Sequence, residues 1–364
     1  MRPVVIAAGG TGGHFFPAEA LAAEFSRRGQ RVVLMTDARS AGLQSPVFDG
    51  RERFVLSGSG IAGRGVLRAM GSMAALAAGT WQARAILSRL RPSAIIGFGG
   101  YPSVAPVIAS RFLATRPAII VHEQNGVLGR ANRMLAGRAD VLALSLPATT
   151  RVPAGARTMI TGNPVRPAIV ASPYTAPTDA IHLLVLGGSL GARVFSDVVP
   201  PALALLPTTL RARLRLTQQC RPEDLARVRN AYAATGIAAT LAPFFADIAA
   251  LLRDAHLVIA RAGASTVAEL AVVGRPAVLV PLPGAIDDHQ SANAAALAGA
   301  TVLPQATLTP ASLAKTLAAL LADPDGLARA AATAALSGRS DAAARLADLV
   351  ETEIARKVPQ ESRV

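Results

Sequence analysis

Two stretches of this chain share one design. "VVIAAGGTGGH" (4–14) and "HLLVLGGSLGAR" (182–193) each run from a short apolar strand through a glycine-rich loop into an Ala/Leu-rich run. A parallel βαβ unit is built on such junctions: the strand ends, the backbone turns sharply, and a crossover helix begins. Further strands are expected at 4–8, 31–35, 94–97, 118–121, 141–143, 181–186, 257–259 and 277–280, with helix-like stretches between most of them. The pattern predicts an α/β chain of two Rossmann-like, parallel-sheet domains in tandem. Its join falls near "TGNPVRP" (161–167), where Gly and two prolines interrupt the alternation. This gives an N-terminal domain over 1–163 and a C-terminal domain over 164–337. A closing segment follows over 338–364, where "AAARLADLVETEIARK" (342–357) reads as a last helix capped by Ser340 or Asp341. That helix is expected to pack back on the N-terminal domain.

Composition narrows the partners. The formal charge is +14 and comes almost wholly from arginine, since Lys315 and Lys357 are the only lysines. A balance of this kind attracts polyanions: nucleic acid, anionic lipid or phosphorylated small molecules. No nucleic-acid module accompanies it and its basic segments are not interleaved with aromatics, so nucleic acid is not expected as a partner. The single cysteine, Cys220, cannot form an intrachain disulfide and fits a reducing compartment as a buried small hydrophobe. The N-terminus reads as a strand and not as a secretory signal. The longest apolar stretch, 92–110, is broken by "GFGGYPSVAP", so no spanning helix is expected.

The glycine loops fail the dinucleotide pattern. G-x-G-x-x-G started at Gly10 meets Phe15 at its sixth position, and started at Gly188 meets Leu190 at its third. Asp37, at the end of the second strand, is weak support for a ribose contact on its own. A plain tight turn needing positive φ would account for the glycines. So would a nest of N–H groups at a helix N-terminus binding anionic oxygen. Under the second reading His14 is a helix-start residue, a phosphate donor or a base. "GGSLGAR" repeats the same physics with Ser189 adding a hydroxyl, and two such loops imply two phosphorylated ligands.

Other stretches leave apolar strands and turn polar, as ligand-binding loops of open α/β sheets do. In "ARAGASTVAEL" (260–270), Thr266 and Glu269 fit a capping box, or Glu269 accepts ribose hydroxyls. "PLPGAIDDHQSANA" (281–294) lacks metal-ligand spacing, and no metal is expected; Gln290 and Asn293 could present an amide face to sugar hydroxyls. "GFGGYPSVAP" (97–106) and "VHEQNGVLGRANR" (121–133) close the first domain, and His122 and Glu123 would be costly to bury there without partners. The stretch 64–92 offers Met70, Met73, Leu76 and Trp81 flanked by arginines that include Arg84. It is either a core-facing helix with a solvated basic face or a patch for an anionic membrane surface.

Taken in order, "GGTGGHFFPA", "GFGGYPS", "HEQNGVLGRANR", "GNPVR", "GGSLGAR", "RAGASTVAEL" and "DDHQSANA" span nearly the whole chain. In this it resembles the peptidoglycan N-acetylglucosaminyltransferases. The resemblance implies the GT-B architecture, two Rossmann-like domains with an intervening cleft, and transfer of GlcNAc from UDP-GlcNAc to undecaprenyl-diphosphate-MurNAc-pentapeptide to form lipid II. It further implies that no cofactor is required, and that the protein is peripheral on the cytoplasmic face of the bacterial inner membrane.

Carried over by motif, the donor contacts would be Thr11, Gly12, Gly13, Asn125, Arg166, Gly188, Ser189, Gly191, Phe245, Gly263, Ala264, Ser265, Thr266, Glu269 and Gln290. Among these, the glycines around Ser189 would face the diphosphate, Glu269 the ribose, Gln290 the GlcNAc hydroxyls and Phe245 the uracil. Gly10, Thr11, Gly99, Gly100, Tyr101 and Asn125 would meet the acceptor. Transfer with inversion needs a base for the acceptor's 4-hydroxyl, a role expected of His14, with Glu123 as the substitute. Two motifs depart from the family: Leu190 replaces a usual Gln, and "LTQQC" (216–220) replaces a usual "HQTG". Rival readings are another UDP-sugar enzyme such as an epimerase, an NAD(P) oxidoreductase, and a non-catalytic membrane adaptor.

Overall fold

The computed structural model describes residues 2–10, 12–38, 40, 45–56, 66–188 and 191–357, without the side chains of 66–70 and 72. The chain divides into two compact units, Met1–Pro167 with Asp341–Val364, and Ala168–Ser340.

In the first unit, among the described residues, the strands are β1 (Val4–Ala7), β2 (Val32–Asp37), β3 (Arg53–Leu56), β4 (Ala94–Gly97), β5 (Ala118–Glu123), β6 (Val141–Leu144) and β7 (Thr158–Ile160). They form one parallel sheet in the order β3-β2-β1-β4-β5-β6-β7. Its helices are α1 (Gly12–Arg27), α2 (Val66–Leu90), α3 (Gly100–Ala109) and α4 (Arg130–Ala136). The inner strands are buried along their whole length, as expected of a parallel sheet covered on both faces. Strand alternation divides the core: Val4 and Ile6 face the side holding Phe15, Leu21 and Phe25 of α1, whereas Val5 and Ile95 face Ala83, Leu87, Val104 and Leu135 of the other helices.

The second unit contains β8 (Ile181–Leu186), β9 (Leu214–Gln219), β10 (Ala238–Ala242), β11 (Leu257–Ala260), β12 (Ala277–Leu279) and β13 (Thr301–Val302), in the order β10-β9-β8-β11-β12-β13. Helices α5 (Arg193–Ala204), α6 (Thr208–Arg213), α7 (Leu225–Thr235), α8 (Ile248–Asp254), α9 (Ala264–Val273), α10 (His289–Ala295), α11 (Pro310–Leu321) and α12 (Pro324–Leu336) surround the sheet. Cys220 is buried beside Ser196, thiol to hydroxyl 3.2 Å, and burial raises the thiol's pKa.

The last helix, α13 (Ala342–Lys357), belongs to the first unit. Leu346, Ala347, Leu349 and Val350 enter the α1 face of its core. Buried Glu353 accepts a bidentate pair from Arg157, both bonds 2.8 Å. Segment 161–167 also stays with this unit, because Thr161 N donates to the Leu144 carbonyl and the Gly162 carbonyl accepts from buried His122.

The expected strands all form, 94–97 and 181–186 with the bounds expected and the others with ends shifted by one or two residues. β5 runs on through His122 and Glu123, because both find partners inside the protein. The strands β3, β7, β9, β10 and β13 went unread. They are short or carry polar and Ala residues, and β9 alternates buried with accessible positions as a half-covered strand does.

Candidate functional site

Each sheet reverses its winding once, between β1 and β4 in the first unit and between β8 and β11 in the second. Ligands of open α/β sheets bind outside the carboxyl ends of the strands at such points. Both glycine-rich loops lie there.

In the second unit, Gly187 follows β8 where a Cβ would stand 2.2 Å from the Ala192 nitrogen, so no side chain fits. Gly188 and Gly191 take φ of 81° and 68°, conformations that glycine enters without strain. Gly191 N donates to the Gly188 carbonyl at 3.1 Å, closing the turn. Helix α5 starts behind Ala192 with no side-chain cap, leaving its first amides to a ligand or solvent. Ser189 and Leu190 lie outside the described residues.

Across the switch point, β11 leads to Gly263, whose extended backbone (φ −65°, ψ 144°) is the N-cap of α9. The helix therefore begins three residues earlier than a Thr266 cap would require, and the Thr266–Glu269 capping box does not form. Ala264, Ser265 and Thr266 make the uncapped first turn, and the buried Ser265 hydroxyl has no hydrogen-bond partner. Glu269 is buried one turn on.

Arg261, which sequence reasoning passed over, organises this edge. It is buried, lies over the Phe195 ring of α5, and donates to the Val280 and Pro281 carbonyls and to Gln305 Oε1. Burial lowers its pKa. Asn293, expected to face sugar hydroxyls, is instead buried and donates to the Ala262 carbonyl at 3.0 Å, holding the turn before α9. Gln290 accepts from Leu282 N through Oε1 at 3.0 Å, which leaves its NH₂ group as the donor side. Phe245 is half-buried on the loop after β10, beside Phe244, which is 72% exposed. Among the described residues, no group of three or more His, Cys, Asp or Glu is arranged to hold a metal ion.

In the first unit, a Cβ on Gly9 would fall 2.8 Å from Thr36 Oγ1 and 3.0 Å from Asp37 Oδ1. Asp37 is buried and accepts from Ser40 N, and Gly10 N (φ 88°) donates to Ser40 Oγ. Asp37 thus braces the opening loop and is not presented to a ribose. Gly12 and Gly13 begin α1, and Thr11 lies outside the described residues.

His14, half-buried in the first turn of α1, packs against the facing loop. Its Cδ2 and Nε2 lie 3.3 Å from where a Gly99 Cβ would be, and its Cε1 4.0 Å from that of Gly100. Gly99 (φ 88°) is the uncapped N-cap of α3, and Ser103 Oγ donates to the carbonyls of Gly99 and Ala7, tying α3 to β1. The structure therefore brings the "GGTGGH" and "GFGGYPS" motifs together around one imidazole. The Tyr101 hydroxyl is buried without a partner, and desolvation raises its pKa.

Glu123 is 2% exposed and accepts four hydrogen bonds: Asn125 N and Nδ2 on Oε1, both at 3.0 Å, and Gly129 N and Asn132 Nδ2 on Oε2, both at 2.8 Å. The burial cost foreseen for this carboxylate is met by its own loop. His122 is fully buried with Nε2 donating to the Gly162 carbonyl at 3.0 Å and Nδ1 accepting from Gln124 Nε2 at 2.9 Å. Desolvation, ahead of all else, pushes its pKa down to about 4, so the ring is neutral. Arg166 stacks its guanidinium on the Phe16 ring of α1, 4.8 Å from the centroid. Asn132, which sequence reasoning missed, lies beside Gly99 and keeps a buried Oδ1 without a partner.

Helix α2 places Met73 and Trp81, each 70% exposed, on its outer surface; Leu76 is half-buried against the core. Arg84 lies 5.3 Å from the Trp81 ring centroid and donates to the carbonyl of exposed Phe112. The Met70 side chain is outside the described residues. Among the described residues, no helix is long and apolar enough to cross a membrane.

Two parallel-sheet units, each with a glycine loop and an uncapped helix at its switch point, make up the GT-B fold, and the family matches place the chain among the glycosyltransferases that use it. Residues 4–143 match the N-terminal domain of glycosyltransferase family 28, and residues 182–346 match its C-terminal domain. The chain is 62% identical over 361 residues to the UDP-N-acetylglucosamine--N-acetylmuramyl-(pentapeptide) pyrophosphoryl-undecaprenol N-acetylglucosamine transferase of Granulibacter bethesdensis, covering 97% of this chain and 94% of that one. The enzyme of the same name from Acidiphilium cryptum is 56% identical over 364 residues, 98% of each chain. The crystal structure of Acinetobacter baumannii MurG aligns with a TM-score of 0.78 at 29% identity, over 97% of this chain and 100% of that one. The calicheamicin glycosyltransferase CalG4 shares the fold, with a TM-score of 0.63 at 17% identity, over 99% of this chain and 100% of that one. The chain belongs to the family of UDP-N-acetylglucosamine--N-acetylmuramyl-(pentapeptide) pyrophosphoryl-undecaprenol N-acetylglucosamine transferases.

Proposed function

We infer that this protein transfers GlcNAc from UDP-GlcNAc to the MurNAc 4-hydroxyl of undecaprenyl-diphosphate-MurNAc-pentapeptide, forming lipid II. The observation that carries the donor half is the second unit's switch point. Two uncapped helix starts, two positive-φ glycines and the unpartnered Ser265 hydroxyl collect donors where a diphosphate needs them. Glu269 takes the ribose hydroxyls, the Gln290 amide the sugar, and the loop of Phe245 the uracil.

The first unit takes the acceptor on Gly10, Gly99, Gly100 and Tyr101. An α-linked donor giving a β-linked product reacts by single displacement. The acceptor O4 forms its bond to the anomeric carbon as that carbon's bond to the β-phosphate oxygen breaks, and the hydroxyl proton passes to His14. The half-buried imidazole set against Gly99 supports that role. The four donors on Glu123 support a different role for it: positioning Asn125 and Asn132. Negative charge on departing UDP is met by the amides of the second unit's glycine loop and the dipole of α5. Met73, Trp81, Arg84 and Phe112 support attachment to the cytoplasmic face of the inner membrane, apolar rings entering anionic lipid beside guanidinium groups.

A product assay with UDP-GlcNAc and a lipid-linked MurNAc acceptor tests the reaction. Disaccharide with UDP release is expected, whereas UDP release without disaccharide points to a different UDP-sugar enzyme. His14→Ala is expected to lower kcat by about 10²–10⁴-fold with UDP-GlcNAc binding retained. Near-normal turnover in that variant would remove His14 from the base role.

A further inference from the structure

The two adjacent glutamines that end β9 point to opposite sides of the sheet, as strand alternation requires. Gln218 is fully buried and its Oε1 accepts from the Tyr232 hydroxyl. Gln219 faces the glycine loop. Backbone pairing of β8 with β9 ends at Val185 and Gln218, and beyond that point the Gln219 side chain takes over the ladder. Its Oε1 accepts from Gly187 N at 3.0 Å, and its Nε2 donates to the Gly188 carbonyl at 3.0 Å and to the Pro243 carbonyl at 3.1 Å. A side-chain amide offers one acceptor and two donor hydrogens, and here each kind is engaged.

We propose that Gln219 is a positioning residue for the donor diphosphate, holding the Gly188 carbonyl turned away from the anion so that the loop presents donors to it. The proposal rests on assigning this loop to the diphosphate of UDP-GlcNAc. Gly188 has φ 81°, a conformation glycine enters without strain, and a Cβ built on it would meet nothing within 4 Å, so packing on that side does not hold it in place. Its carbonyl is restrained by two donors, Gly191 N at 3.1 Å and Gln219 Nε2. Without the second, the carbonyl swings more readily toward the ligand and sets its negative end against a phosphate, the reverse of an anion nest. The stretch "LTQQC" thus carries the amide that shapes the phosphate loop. The link to Pro243 lies next to Phe244 and Phe245, so a rival account has Gln219 acting on the base-reading loop instead.

The test compares UDP with uridine, which shares the base and ribose and lacks phosphate. Dissociation constants are measured by titration calorimetry for the full chain, for Gln219→Ala, and for Gln219→Glu, which keeps the acceptor and the shape and loses both donors. Partial unfolding of a variant raises both apparent constants by the same factor and leaves the ratio of UDP to uridine affinity unchanged. UDP affinity is expected to fall at least tenfold in both variants, with uridine affinity within twofold of the parent and the acceptor KM unchanged. Equal losses for UDP and uridine would transfer the residue to the Pro243 side and overturn the proposal, as would unchanged UDP binding. A parent protein that does not bind UDP at all overturns the donor-site reading, and this proposal with it.

Discussion

At the scale of the residue, the same side-chain types serve chemistry in one place and architecture in another, and partners separate the two. Glu123 read from sequence as an uneasy buried acid; in the fold it is the centre of four donated hydrogen bonds. Glu123→Gln puts an NH₂ group against donors and should cost roughly 2–4 kcal/mol of stability, read by urea unfolding. Full stability with turnover abolished would return Glu123 to the base role. His122 gives a pH signature. Its pKa is about 4 in the fold against 6.5 for the free side chain, so between those values the unfolded chain binds the extra proton. Stability contributed by the neutral ring is complete above pH 6.5 and is lost as pH falls toward 4, by roughly 2–4 kcal/mol. His122→Gln should flatten that part of the stability-against-pH curve, and an unchanged slope would show that other groups produce it.

At the scale of the element, α2 shows what amphipathic pattern can and cannot decide. The stretch was legible as a helix with apolar bulk and flanking arginines, but not which apolar residues face inward. Packing resolved this: Ala83, Ile86 and Leu87 enter the core, Leu76 lies half-buried against it, and Met73 and Trp81 remain outside. Trp81→Ala combined with Arg84→Ala should weaken binding to anionic vesicles by about tenfold, while turnover of a soluble acceptor is retained. Vesicle sedimentation that does not change would assign this face to solvent. Helix α9 makes the converse point. Its capping box was plausible by spacing, yet the N-terminus was set by a glycine leaving β11 and by Asn293 holding Ala262, contacts far apart in sequence.

At the scale of the whole molecule, the chain leaves the first unit at Pro167, completes the second, and returns at Asp341 to finish the first. The returning helix supplies Leu346, Ala347, Leu349 and Val350 to the core and Glu353 to Arg157. Burial of the larger side chains is worth about 1.5–3 kcal/mol each, a sum that rivals the whole stability of an ordinary domain. A chain truncated before Asp341 should therefore lose the protease resistance and cooperative unfolding of the first unit while the second keeps its transition. Persistence of both transitions would reduce α13 to an accessory.

The sequence by itself determined the α/β class, the tandem of sheets, the two glycine loops and most of the inner strands. Those features follow from local chemistry: β-branched runs, glycine's access to positive φ, and period-matched apolar residues. Only the tertiary structure decided what those loops lean on. Asp37 and Ser40 under Gly10, Gly99 against His14, Gln219 under Gly188 and Arg261 over Phe195 are pairs separated by about 30 to 85 residues. Such pairs meet because a parallel sheet gathers the carboxyl ends of distant strands at one switch point. No local pattern encodes that meeting, so the glycines could be read from the chain and the residues that aim them could not.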